Sequence, residues 1–215
     1  MKPFSHYQAL IFDMDGTLVD SMPYHDQSWV VFLQEHQLSI DPETFDRDYH
    51  KGTLVEVMAR LFPSITTEAE LRAIGQRKEA LFRELYKPHL ETLPGVPDFL
   101  AALQKQNIPL GLATMGDQAN IDFTLDGLGI SAFFDATTGG DQVTNGKPHP
   151  EIFLETARKL HVDPAQCLAF EDTQSGIESA IAAGMDVVGV ATQFPTEKLL
   201  ALGCVNAIED YVIYC

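Results

Sequence analysis

A chain of 215 residues, 45% of them hydrophobic and 21% charged, can bury a sizeable core and fits one α/β domain with an insertion, or two small domains. No apolar run reaches the ~18 residues that a membrane span requires, and a formal charge of −17 opposes binding to nucleic acid or to an anionic lipid surface. The same charge would repel a phosphate ligand unless a cation stood in the site, so a metal ion is expected with any such ligand.

The opening residues Met1 to Tyr7 carry no apolar h-region or cleavage pattern. Cys167, Cys204 and Cys215 form no spaced framework, which makes the cytoplasm the expected compartment. Cys167 and Cys204, in apolar surroundings, read as core residues.

In chain order, Ala9 to Phe12 reads as a short buried strand that runs straight into Asp13 and Asp15. Strand side chains alternate with a period of two, so these acids start out facing the same way. Gly16 permits a positive φ, and the chain can turn to leave both carboxylates at the mouth of a cleft. Pro23 to Leu38 shows helical spacing at Trp29, Val30, Phe32 and Leu33, with Pro23 suited to a first turn. Asp41-Pro42-Glu43 restarts a helix, Lys51-Gly52 breaks it, Leu54 to Leu61 continues helically, and Thr66 to Glu70 resembles a capped start for a helix to about Tyr86. From Met22 to His89 no segment reads as a strand. Residues 20–91 are thus an all-helical insertion between 1–19 and 92–215, with Val19 to Met22 and His89 to Pro94 as candidate hinges.

Beyond Gly95 strands and helices alternate. The helices are expected at Val96 to Lys105, Gln118 to Leu128, Pro150 to Leu160, Ser175 to Ala183 and Thr196 to Leu202. The strands between them are Ile108 to Thr114, Phe134 to Thr138, Cys167 to Phe170, Asp186 to Val190 and Asn206 to Ile208. This pattern implies a mostly parallel, doubly wound sheet. No internal repeat or low-complexity tract appears.

In such sheets ligands bind outside the carboxyl ends of the strands. Asp13 and Asp15 follow the first strand, Thr114 ends the second, Lys147 lies in the loop after the third, and Glu171-Asp172 follow the fourth. Several carboxylates in one crevice call for a hard divalent ion with oxygen ligands, and Mg²⁺ is the one that keeps waters and shares substrate phosphates. Lys147 and Thr114 suit the equatorial oxygens of a transferring phosphoryl group. An aspartate can take a phosphoryl group covalently while a second acid protonates the leaving alkoxide. Asp13 is expected to ligate the metal and attack, and Asp15, beside other negative charges, to hold a proton longer because its pKa is raised. Each residue alone has an ordinary reading, with Asp172 and Thr173 as a helix N-cap, Lys147 as a solvated loop lysine and His25 as a satisfied helix histidine. Their order after successive strands is what favours catalysis.

Asp13-Met14-Asp15-Gly16-Thr17, Thr114, Lys147-Pro148 and Glu171-Asp172 together resemble the haloacid dehalogenase superfamily of phosphotransferases, with its Rossmann-like core. Ser21-Met22-Pro23-Tyr24-His25, the helical insertion after the first motif, and Phe170 to Gly176 narrow the resemblance to the β-phosphoglucomutase-like branch, which includes small sugar phosphatases. The resemblance implies that the helical segment is a cap over the substrate, that Ser21, His25, Lys51 and Gly52 serve the cap side, and that Thr114, Met115 and Lys147 bind phosphate. It also implies Mg²⁺ at Asp13, Asp15, Glu171 and Asp172, a small phosphorylated metabolite as partner, and a monomer or weak homodimer.

Mutases of this branch read Lys-Gly-x-x-Arg in the cap loop, where this chain has Lys51-Gly52-Thr53-Leu54-Val55. They also carry a lysine where this chain has Asp117. A like-charge contact at about 4 Å costs on the order of 4 kcal/mol at an effective dielectric near 20, so Asp117 pointing inward would exclude a second phosphate. A phosphatase is therefore expected over a mutase. A phosphate-receiving signalling domain is a weaker alternative, opposed by Asp15 and by the size of the insertion.

Overall fold

The computed structural model describes residues 4–41, 44–45 and 52–214. Six parallel strands form one sheet: β1 (Ala9–Phe12), β2 (Leu110–Ala113), β3 (Ala136–Thr138), β4 (Cys167–Glu171), β5 (Asp186–Val190) and β6 (Asn206–Ile208), in the order β3-β2-β1-β4-β5-β6. β1 is central, paired to β2 on one side and to β4 on the other. The strand order reverses at this point, which opens a crevice at the carboxyl ends of β1 and β4.

Both faces of the sheet are covered, which is why β1 is a continuous apolar run rather than an alternating one. Leu10 and Phe12 join an aromatic cluster with Phe99, Phe170 and Tyr211, whereas Ala9 and Ile11 join Ile152, Phe153, Ile177 and Val187 on the opposite face. Phe12 and Phe170 stack across the β1–β4 pair with ring centroids 4.7 Å apart. Burying an aromatic of this kind stabilises by about 1.5–3 kcal/mol, so the strand from which Asp13 emerges is among the most firmly held backbone in the chain.

Helices α1 (Met22–Glu35), α2 (Leu54–Leu61) and α3 (Glu68–Tyr86) lie between β1 and β2 in sequence and have an apolar cluster of their own, with Trp29, Phe32, Val57, Met58, Leu71 and Leu81. Gly52 sits at φ 96°, and Thr53 begins α2 with a capping box in which its hydroxyl accepts from the Glu56 amide and its own amide donates to the Glu56 carboxylate. The remaining helices are α4 (Val96–Lys105), α5 (Gln118–Leu128), α6 (Glu151–Lys159), α7 (Gln174–Ala182) and α8 (Thr196–Ala201).

Most boundaries match the sequence expectation, and the departures have local causes. α1 stops at Glu35 rather than Leu38 because Gln37 adopts φ 57°. β2 starts at Leu110 rather than Ile108, after Asn107 at φ 55°. β3 starts at Ala136 because Ser131–Phe133 forms a 3-10 turn before it. Of the expected restart near Asp41, Pro42 and Glu43 lie outside the described residues, as does Lys51. No helix among the described residues is long and apolar enough to cross a membrane.

Candidate active site

Asp13 follows directly on β1, its amide donating to the Phe170 carbonyl at 3.0 Å, so the ladder sets where its side chain leaves the sheet. The chain then turns at Gly16, at φ 79°, where a Cβ would stand 2.0 Å from Asp172 Oδ2. Glycine is required there both for the turn and for the close approach of that carboxylate. Lys147 comes from the loop after β3 and is nearly fully buried. Its ammonium donates to Asp13 Oδ1 at 2.6 Å, Glu171 Oε1 at 2.7 Å and the Ala113 carbonyl at 3.1 Å. Three acceptors for three protons leave it no rotational freedom.

Glu171 is committed at both oxygens. Oε2 accepts from the amides of Asp172 and Thr173, each at 2.9 Å, and a Cβ on Gly176 would stand 1.7 Å from Oε1. The N-cap of α7 is Thr173, whose hydroxyl accepts from Gly176 N, so Asp172 is not used in capping. Asp172 is buried, and its carboxylate accepts from the hydroxyls of Thr17 at 3.4 Å and Thr192 at 3.2 Å.

Burial drives the Asp13 carboxyl up to about 8 against the pull of Lys147, with Glu171 and Asp15 adding to the rise. Burial likewise pushes Asp172 well above the carboxylate range, helped by Glu171 and Asp13. One lysine does not offset this concentration of buried negative charge.

Asp15 differs from the expectation. Burial raises its pKa, but His25, Ser21 and Lys78 more than offset this, and the group lies below the ordinary aspartate value. The reason is that Asp15 turns toward the helices: Oδ1 accepts from Ser21 Oγ at 2.6 Å and lies 3.4 Å from His25 Nε2. On the other side of the His25 ring, Lys78 Nζ lies 2.9 Å from Nδ1, and the ring stacks on Phe82 at 3.6 Å. Lys78 is 2% exposed, with the Trp29 ring 4.7 Å away and Glu79 Oε1 at 3.1 Å.

A cavity of about 190 Å³ brings together Asp13, Asp15, His25, Thr114, Lys147 and Glu171, with Gly52 and Met115 also at its wall. Thr114 Oγ1 accepts from the Gly116 amide at 3.0 Å. The helical side comes close to the loop of Lys147: a Cβ on Gly146 would stand 2.3 Å from the Gly52 carbonyl carbon. Asp172 sits behind the wall, and Ser21 reaches the cavity through Asp15.

Asp117 does not line this cavity. It caps α5 by accepting from Asn120 N at 2.9 Å and lies 3.8 Å from Arg83. With Val55 it lines a neighbouring cleft of about 430 Å³. Burial, with Glu79 and Asp141 nearby, raises its pKa against the pull of the Asn120 amide and Arg83, and because it faces the neighbouring cleft the like-charge penalty expected for an inward carboxylate does not fall on this cavity.

Lys78 and Glu79 escape the sequence reading. The available signal is positional: Lys78 lies three residues after Gly75, seven after Leu71 and four before Phe82, all buried, so it stands on the apolar stripe of α3.

Among the described residues no three or more His, Cys, Asp and Glu side chains are grouped to hold a metal ion. Asp13 and Asp172 still fit a hard cation, because Mg²⁺ is usually held by one or two carboxylates and completes its shell with water and substrate phosphate. Buried carboxylates whose protons are favoured in the absence of such an ion are the donor set it would suit.

The profile of the haloacid dehalogenase-like hydrolases matches residues 7–184. The fructose-1-phosphate phosphatase YqaB of Escherichia coli is 32% identical over 187 residues, covering 87% of this chain and 98% of that protein. The β-phosphoglucomutase of Bacillus subtilis is also 32% identical, over 199 residues that cover 87% of this chain and 85% of its own. A crystal structure of β-phosphoglucomutase from Clostridium difficile superposes with a TM-score of 0.80 at 28% identity, covering 95% of this chain and 92% of that one. With a family profile matching residues 7–184 and relatives 32% identical over 87% of the chain, the chain belongs to the haloacid dehalogenase-like hydrolase family and is an enzyme.

Proposed function

We propose that this hydrolase is a Mg²⁺-dependent phosphatase that releases inorganic phosphate from a small sugar phosphate or related monoester through an aspartyl-phosphate on Asp13. The observation that carries the reading is the pairing of Asp13 with a fully engaged Lys147 at the carboxyl end of a buried strand, at the wall of the cavity. The fructose-1-phosphate phosphatase among the relatives supports a sugar phosphate as substrate.

An oxygen of the Asp13 carboxylate attacks phosphorus as the bond to the sugar oxygen breaks, and Asp15 gives that oxygen its proton. Water then attacks the acyl phosphate, Asp15 takes the water's proton, and phosphate leaves with Asp13 restored. The hold of His25, Ser21 and Lys78 on Asp15 favours its carboxylate form, which matches the second half-reaction. Asp13 and Asp172 would hold Mg²⁺, with Asp15 contributing through its backbone carbonyl. When bound, the ion supplies charge stabilisation to the phosphoryl oxygens. Glu171 acts from behind, fixing Lys147 and the first turn of α7. Residues 20–91 would serve as the cap that excludes water until substrate is bound.

Hydrolysis is favoured over isomerisation by the charges near the cavity. Lys78 and Lys147, which line it, are both ion-paired, and a second phosphate would also meet Glu79. The test is a panel of sugar phosphates assayed for phosphate release with Mg²⁺. In parallel, β-glucose 1-phosphate with catalytic β-glucose 1,6-bisphosphate should yield little glucose 6-phosphate. Isomerisation much faster than phosphate release would replace the phosphatase by a mutase.

A further inference from the structure

Glu79 lies on α3, 6% exposed, between the catalytic cavity and the neighbouring cleft, and it lines both. Its two oxygens face different parts of the molecule. Oε1 accepts from Lys78 Nζ at 3.1 Å, and Oε2 accepts from the side-chain amide of Asn120 on α5 at 2.6 Å. Asn120 is fully buried, and its Oδ1 in turn accepts from Arg83 Nη1, one turn along α3 from Glu79, at 2.6 Å. Arg83 also faces Asp117, the N-cap of α5. Helix α3 and helix α5 are thus joined by a two-way exchange: a carboxylate of α3 accepts from an amide of α5, and a guanidinium of α3 donates back to it.

We infer that Glu79 is a positioning residue that makes the docking of α3 on α5 and the alignment of the Lys78–His25–Asp15 chain a single event. The ammonium of Lys78 has protons to give and no lone pair, so His25 Nδ1, 2.9 Å away, must accept. In the neutral ring that leaves the proton on Nε2, which faces Asp15 Oδ1. The tautomer of His25, and with it the donor offered to Asp15, follows from where Lys78 stands. Lys78 in turn stands where Glu79 holds it. The position of Glu79 is set by Asn120, a residue of the sheet-bearing part of the chain. If α3 lifts, Glu79 exchanges Asn120 for water, Lys78 loses its fixed acceptor, and the ring is free to change tautomer. A carboxylate at position 79 therefore reports docking to the proton-transfer group without touching it.

The activity arm of the test rests on the phosphatase reading; the spectroscopic arm does not. Asn120→Asp places a carboxylate against Glu79, whereas Glu79→Gln combined with Asn120→Asp reverses the polarity of the hydrogen bond and restores it. Asn120→Asp should lower kcat for the best monoester of the panel roughly tenfold or more with little change in KM, and the double variant should recover most of it. Long-range ¹H–¹⁵N spectra of the metal-free, substrate-free protein, with His25 identified by loss of its signals in His25→Gln, should show the Nε2–H tautomer in the wild type. That tautomer should be mixed in Asn120→Asp and restored in the double variant. If Asn120→Asp does not fold, Glu79→Gln alone, whose single acceptor oxygen goes to Asn120 so that its amide N–H meets Lys78, should show the fall in kcat and the mixed tautomer at an unchanged unfolding midpoint. Wild-type kcat and tautomer in Asn120→Asp, or in Glu79→Gln where it is the variant that folds, would overturn the inference. So would a double variant that regains the unfolding midpoint without regaining kcat. A wild type that releases phosphate from no monoester ends the phosphatase reading, and the ring spectra then decide this one alone.

Discussion

On the sheet side of the cavity Asp13 leaves a strand none of whose side chains reaches solvent, and its partner Lys147 is pinned by three acceptors. On the helical side His25 and Lys78 project from α1 and α3, and their geometry is set by each other, by Phe82 and by Glu79. The sheet side is held by backbone. Its reactive group sits one residue beyond a hydrogen-bonded ladder whose strands are locked together by the stacked rings of Phe12 and Phe170. The helical side is held by side chains alone. If Asp13 attacks and Asp15 transfers protons as proposed, the difference teaches that a nucleophile needing one position can be built on a strand end, whereas a proton-transfer group can be held by a chain of adjustable polar contacts.

The sharpest way to break this comparison is Asp13→Asn. Phosphate release should fall about 10⁴-fold or more, as for removal of a nucleophile in other covalent enzymes. The fold should survive, because burial already raises the Asp13 carboxyl to about 8 and the amide is neutral. The sign of the pH effect follows: the folded state keeps a proton that the unfolded chain releases above 3.8, so metal-free wild type should lose stability relative to Asp13→Asn as pH rises from there toward 8. Thermal unfolding in chelator reads it, and parallel curves for the two proteins would contradict the burial argument. Chelator should also silence the wild type, with Mg²⁺ restoring phosphate release.

Lys147→Met should come next. It leaves Glu171 buried without its cation, a loss of about 3–5 kcal/mol in urea unfolding when one partner of a buried pair is removed, while Asp13, which keeps its proton up to about 8 in the metal-free protein, adds little. A change below about 1 kcal/mol would mean that the acids take up protons with no net cost.

A pair of glycines compares the two sides directly. Gly176→Ala puts a Cβ 1.7 Å from the Glu171 carboxylate, which its backbone partners hold in place. The expected destabilisation is about 1–3 kcal/mol, with loss of activity. Gly75→Ala, on α3, meets Leu54 Cγ at 2.7 Å, an aliphatic side chain able to yield, while alanine gains about 1 kcal/mol of helix propensity. Its net effect should be small. Equal costs would show that the helical side is packed as rigidly as the sheet side.

The smallest expected effect is the acid limb of Glu79. Burial raises its pKa, but Lys78, His25 and Asn120 outweigh burial and leave it below the ordinary glutamate value of 4.5. A depressed carboxyl contributes stability above 4.5 that is lost as pH falls through its folded value. The stability difference between wild type and Glu79→Gln should therefore be constant from pH 7 to about 5 and shrink below that. A difference that does not change on acidification would show that the carboxylate is not selectively stabilised in the folded state.

The order of strands and helices was legible in the sequence because each is written in local pattern. Ala9–Phe12, Leu54–Leu61, Val96–Lys105, Gln118–Leu128, Asp186–Val190 and Asn206–Ile208 have the bounds that apolar runs, glycines and prolines predict. The strand-end acids and Thr114 were legible for the same reason, since chemistry at a strand end stands beside its strand in sequence, whereas Lys147, in the loop well beyond β3, was legible only from its order after the third strand. Tertiary structure alone decided the rest. Lys78 looks like any helix lysine until α1 brings His25, 53 residues earlier, to its ammonium. Asp117 looks like a substrate-facing acid until Arg83 and the α5 terminus claim it. Asp15 lies close to Asp13 in sequence, which suggests a raised pKa, yet Ser21, His25 and Lys78 reverse the shift. In each case the sign of a charge–charge interaction depends on which groups lie within a few ångströms across the fold, and a Coulomb energy that falls with distance through a non-uniform dielectric cannot be read from spacing along the chain.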